Sequence, residues 1–157
     1  MRAVLRVLAI EVTHRGFSFA VLEGSERLIE CGNRSAPRDT SVFLAKLTAT
    51  VDRYRPDVLA LEEPAGSKKG RVVRDHLAWA EQFAVDRSLR VVALPCREGN
   101  KDRRAAEMAR LFPELAPHLP KPRKLWQSEA RGTAKFIAAE RGLEALKHLE
   151  RRDLSTS

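Results

Sequence analysis

The chain has 157 residues, 43% hydrophobic and 32% charged, with 29 Lys+Arg against 21 Asp+Glu and a formal net charge of +8. That length suits one domain with a real core, and the hydrophobic share excludes a disordered tail. No apolar run approaches the ~20 residues of a membrane span, and the positive balance favours a polyanionic partner.

Val4–Glu11 (VLRVLAIE) is nearly continuous in apolar character, as a central strand covered on both faces should be. Gly16–Leu22 places Phe17, Phe19 and Val21 on one face of a second strand, and Glu23–Glu26 turns the chain into a third, Arg27–Gly32. After the loop Asn33–Thr40, Ser41–Tyr54 carries Phe43, Leu44, Leu47 and Val51 at helical spacing, with Asp39, Thr40 and Ser41 as capping residues. Pro56-Asp57 stops that helix, and Val58–Leu61 is a short buried strand ending in Glu62-Glu63-Pro64. A loop, Ala65–Gly70, leads into a helix over Arg71–Ser88, then a fifth strand over Arg90–Leu94 and a helix over Lys101–Phe112. Pro113–Gln127 holds four of the eight prolines and reads as a loop; a last helix starts near Ser128 or Glu129. Arg141-Gly142 reads as its end, with Leu143–Arg152 as a further turn or two. The expected organisation is one domain over residues 1–152 with a frayed tail over 153–157. The expected fold class is α/β: a mixed five-stranded sheet of three antiparallel strands followed by β-α-β units, with helices on both faces. This is the element order of the ribonuclease H-like fold.

Two carboxylates fall where strands end. Glu11 follows Val-Leu-Ala-Ile, and Glu62 follows Val-Leu-Ala-Leu, on strands that are neighbours in a sheet of this order. Charged groups at the ends of buried strands line the crevice where open α/β sheets bind ligands, and two acids held together favour a divalent cation. Glu129, in the first turn of the last helix, is the candidate third acid; an acid there also simply complements the helix dipole.

Over roughly residues 4–140, the chain resembles the RuvC-like branch of the ribonuclease H superfamily, the Holliday-junction resolvases. The matching segments are Val7–Glu11, Pro56–Glu62 and Ser128–Ala134. The resemblance implies a homodimeric endonuclease for branched DNA, with Mg²⁺ or Mn²⁺, one ion or two, held by Glu11, Glu62 and Glu129 as the catalytic set. In such a site one ion activates water and the other stabilises the leaving oxygen. The sequence departs from the family pattern at three points. Glu11 stands where the family uses aspartate, Gly132 stands where it has a further acid, and Val12–Arg15 replaces a glycine-rich turn. A non-catalytic nucleic-acid-binding module of the same fold, and an assembly protein with a protein partner, are the other expectations.

Basic residues gather after the strand ends. Lys68, Lys69, Arg71 and Arg74 follow Glu62; Lys101, Arg103 and Arg104 follow the fifth strand; Lys121, Arg123 and Lys124 precede the last helix beside Trp126. All are candidate phosphate contacts around one acidic crevice. His14 could touch a phosphate, and Glu63 is the fallback ligand should the strand register differ by one. Cys31 and Cys96 read as buried thiols, Met1–Arg6 does not read as a secretory signal, and a cytoplasmic location is expected. No GxxxxGK[ST] loop is present, which excludes P-loop chemistry.

Overall fold

Six consecutive residues of the first strand, Val7 to Val12, are buried, which requires cover on both faces of the sheet they belong to. The computed structural model describes residues 4–97, 99–119 and 133–156. In chain order the elements are β1 (Arg6–Thr13), β2 (Gly16–Glu23), β3 (Arg27–Ser35), α1 (Thr40–Tyr54), β4 (Val58–Glu62), α2 (Arg71–Asp86), β5 (Arg90–Leu94) and α3 (Lys101–Leu111). A short 3₁₀ helix over Pro113–His118 and the long α4 (Thr133–Thr156) complete them. The sheet order is β3-β2-β1-β4-β5, antiparallel across β3, β2 and β1 and parallel across β1, β4 and β5. This is the expected mixed five-stranded architecture.

Strand alternation splits the core in two. Val7, Ala9, Ala20, Leu22, Val58 and Ala60 point toward α3 and α4, where they meet Met108, Phe136 and Leu146. Leu8, Ile10, Phe17, Phe19, Leu59 and Leu61 point the other way, onto Phe43 and Leu47 of α1 and Leu77 and Ala80 of α2. The α1 terminus is set locally: the Asp39 carboxylate accepts from Val42 N–H at 3.1 Å, as an N-cap should.

The structure corrects the sequence reading at four boundaries. β1 runs two residues past Glu11, because its hairpin pairs Thr13 with Gly16 and keeps the ladder intact to the turn. β3 likewise continues to Ser35, opposite Gly16. Pro113–His118 is a 3₁₀ helix where a loop was expected; Pro113 sits in its first turn, where a missing N–H costs nothing. The last helix does not end at Arg141-Gly142, since helical backbone continues to Thr156. Gly142 is inside α4 for a packing reason rather than as a cap. A Cβ there would come within 2.6 Å of Leu22 Cδ1 and 3.3 Å of Ala9 Cβ, so the glycine lets the helix lie directly on β1 and β2.

Gly16 carries the opposite kind of constraint. Its φ is +138°, and a Cβ would lie 2.0 Å from the Arg34 carbonyl oxygen of the adjacent strand. Gly16→Ala is therefore expected to cost at least ~2 kcal/mol, through backbone strain plus a clash with main chain that cannot move without opening the sheet. Urea denaturation of the variant measures this directly.

Candidate nucleic-acid interface and its charged crevice

The sheet register lays a polar row across the carboxyl end of β1. Glu11 is opposite Ser18, and Ser18 is opposite Asn33, so period-two alternation sends all three toward the α4 side. The Ser18 hydroxyl donates to Asn33 Oδ1 at 2.6 Å. Glu62 joins the row from β4, two residues beyond the Ala9–Ala60 pair. The two glutamates expected to share a crevice therefore do so, and both are buried, at 4% and 1% exposure.

What stands between them is a side-chain cation. Lys69 Nζ lies 3.0 Å from Glu11 Oε1 and 3.0 Å from Glu62 Oε1, and it also donates to the Val12 carbonyl at 3.2 Å. From the opposite side, Arg141 of α4 donates through Nη1 to Glu11 Oε1 at 2.7 Å and to the Ile10 carbonyl at 2.8 Å. Arg141 is 5% exposed. Burial opposes ionisation of Glu11, but the charges of Arg141 and Lys69 and the hydrogen bonds they donate prevail, and its pKa is lowered from the ordinary 4.5. Glu62 differs: neither of its oxygens accepts a hydrogen bond of sound geometry among the described residues, and its charge is met by the Lys69 ion pair.

The basic residues sort into two groups. Lys69 and Arg104, expected at a phosphate rim, are committed internally. Arg104 forms a charge-assisted pair with Glu140 of α4, with Nε 3.0 Å from Oε1 and 3.1 Å from Oε2, and hydrogen bonding to Glu140 pushes its pKa up. Arg97 adds contacts of 3.5 Å to Glu140 and 2.9 Å to Glu144. Arg71, Arg74 and Arg103 are exposed, as are Lys68 and Lys101. Glu129, Lys121, Arg123, Lys124 and Trp126 lie outside the described residues. Glu63 is half-buried at the start of the loop after β4, and its N–H donates to the Leu94 carbonyl at 2.8 Å.

Two clefts flank Glu11. One, of about 530 Å³, is lined by His14, Arg15, Ser18, Asn33, Arg34 and Lys101 among others; the second, of about 480 Å³, by His14, Arg38, Lys69, Arg71 and Lys101. Arg15, Arg34, Arg38 and Arg141 escaped the sequence reading. The first three are scattered along the hairpin and the loop after β3, and only pairing brings them to one edge. Arg141 carried a signal: it is a charge within Phe136–Leu146, a stretch otherwise rich in small and apolar residues.

No protein-family model and no curated protein sequence matches the chain. Solved structures do. Thermus thermophilus RuvC in complex with a Holliday junction substrate is similar over 98% of this chain and 98% of that one, with a TM-score of 0.64 at 15% identity. The same protein alone gives 0.56 at 17% identity, over 92% of this chain and 97% of its own. Fowlpox virus resolvase with Holliday junction DNA gives 0.60 at 13% identity, over 92% and 99%. The chain has a RuvC-like fold.

On this RuvC-like sheet the described charges of the crevice balance one another. Two carboxylates and two basic groups, linked through Glu11 and Lys69, sum to zero, and among the described residues no group of three His, Cys, Asp or Glu gathers as a metal cage. Among the described residues the crevice offers two carboxylates, both already ion-paired to side-chain cations, and the expected third acid, Glu129, is not among those residues.

Two outcomes follow for stability. Arg141→Met leaves Glu11 with only Lys69 as its counter-charge and is expected to cost ~3–5 kcal/mol in chemical denaturation, with much of that restored by pairing it with Glu11→Gln. Because the folded pKa of Glu11 is lowered, its contribution is present at neutral pH and is lost as pH falls below 4.5 through the folded value. Thermal melts across that range should fall more steeply for the wild type than for Glu11→Gln.

Proposed function

We propose that the chain binds branched DNA along the carboxyl edge of its sheet, without cutting it. The observation that carries this reading is the pair of clefts flanking Glu11, rimmed by Arg15, Arg34, Arg38 and Arg71 from separate segments. A rim of guanidinium groups around a neutral floor suits a phosphate backbone, which is met by positioning contacts rather than by base readout. The similarity to RuvC and to fowlpox resolvase, both solved with Holliday junction DNA, supports a four-way junction as the substrate geometry. A homodimer belongs to the same proposal, and two large apolar side chains of α2, Trp79 and Val85, are 51% and 60% exposed. No described helix is long and apolar enough to cross a membrane, in keeping with a DNA partner.

A second reading has its own support. Metal-dependent cleavage of branched DNA, with Glu11, Glu62 and Glu129 binding Mg²⁺ or Mn²⁺, is favoured by the resolvase neighbours and by the two Glu62 oxygens that accept no hydrogen bond among the described residues.

Fluorescence anisotropy on labelled four-way junction and linear duplex separates the readings, run beside a cleavage assay with Mg²⁺ and Mn²⁺. Expected are tighter binding to the junction, affinity falling steeply with salt, and intact DNA. Arg15→Ala, Arg38→Ala and Arg71→Ala should each weaken binding and reduce the log–log salt slope by about 1. Salt-insensitive binding would sink both nucleic-acid readings. Mn²⁺-dependent cutting abolished by Glu62→Gln would replace the first reading with the second.

A further inference from the structure

We propose that Lys69 is a built-in replacement for a divalent cation: its ammonium holds Glu11 and Glu62 together, and removing it converts the pair into a divalent-cation site. The inference concerns the crevice alone and stands whether or not the chain binds DNA.

Three observations carry it. The Lys69 ammonium is equidistant, at 3.0 Å, from one oxygen of each glutamate, the place a bridging ion would take. Both Glu62 oxygens are buried and accept no hydrogen bond among the described residues, so the carboxylate retains lone pairs for a cation that Lys69 meets only as a point charge. The two basic partners are also unequal. Arg141 is fixed on a helix, 5% exposed, and anchored to a main-chain carbonyl as well as to Glu11. Lys69 sits on the loop between β4 and α2, its side chain 26% exposed, and the next residue is Gly70, where an added Cβ would meet nothing within 4 Å. One cation is built into the core; the other is on an arm that reaches in from the edge.

The charge balance gives the direction of the effect. With Lys69 present the four groups sum to zero, and a dication is repelled by the ammonium already in its place. Without it, Glu11, Glu62 and Arg141 sum to −1, and the hard oxygen donors of Glu62 face an open position. Two carboxylates so placed favour a cation between them.

Mn²⁺ binding followed by electron paramagnetic resonance, together with thermal melts in Mn²⁺ and in chelator, tests this without an activity readout. Wild-type protein is expected to bind no Mn²⁺ at this site and to melt at the same temperature in both conditions. Lys69→Ala should melt lower in chelator, recover in Mn²⁺, and bind Mn²⁺ at least about tenfold more tightly than wild type, with the gain abolished by adding Glu62→Gln. Lys69→Met, which keeps the apolar stem, provides the same test should Lys69→Ala not fold. Mn²⁺ binding to wild type that is lost in Glu62→Gln overturns the proposal, and so does a folded Lys69 variant that gains no Mn²⁺ affinity.

Discussion

Two buried carboxylates at the ends of adjacent strands must be neutralised, and the rest of the molecule is arranged around how this is done. Each such ion costs several kcal/mol to remove from water, so neither Glu11 nor Glu62 would remain charged in place without a counter-ion. Arg141 reaches Glu11 because α4, at the neighbouring Gly142, lies close against Ala9 and Leu22. Lys69 reaches both acids only because the loop after β4 is pinned: Glu63 N–H bonds to Leu94 and Lys69 N–H to Ser67 Oγ. A helix held farther from the sheet or a freely moving loop would leave an uncompensated charge inside the sheet. The crevice is therefore a consequence of packing as much as of its own residues.

The same logic divides the protein's positive charge. Arg6 is held by Glu23, Arg87 by Asp52, Arg104 by Glu140, and Lys69 and Arg141 by the strand-end acids. These cations stabilise the fold and offer a partner little. The surplus of +8 is instead expressed by exposed groups such as Arg15, Arg38, Arg71, Arg74 and Arg103. Net charge indicated a polyanion, and pairing shows which residues are placed to meet one. Arg104 illustrates the difference: by composition it belongs with Arg103, yet a single step of about 100° around the helix makes one a partner of Glu140 and the other a surface charge.

Much of the fold was legible because its strands obey simple periodicities. Continuous apolar runs in β1 and β4 required two-sided cover, and the turn at Glu23–Glu26 required a hairpin, so the sheet order followed from element order. Juxtaposing Glu11 with Glu62 needed nothing more. What the sequence hid was long-range: Arg141 is 130 residues from the acid it neutralises, and no local pattern encodes that contact. Arg141-Gly142 looked like a helix end because glycine after a basic residue usually is one. Here a close helix–sheet approach, invisible in one dimension, was the competing reason for the glycine. Lys69 was read as a phosphate contact because a basic loop is normally solvated; burial of its partners reversed the direction in which it points.

One departure from the resolvase pattern, Glu11 in place of aspartate, gains an explanation in this geometry. An acid at the end of the first strand is an aspartate where short, rigid ligands must hold ions at set distances. Glu11 has one more methylene, which extends its carboxylate toward α4, where Arg141 meets it at 2.7 Å. A longer arm is a poorer fit for a fixed two-ion geometry and a better one for an ion pair between a strand and a helix. The electrostatic requirement at this sheet edge is only that the strand-end acids be balanced. Metal ions satisfy it from outside; lysine and arginine satisfy it from within the chain. Here Lys69 and Arg141 balance the strand-end acids beside, and not within, the apolar packing on the two faces of the sheet.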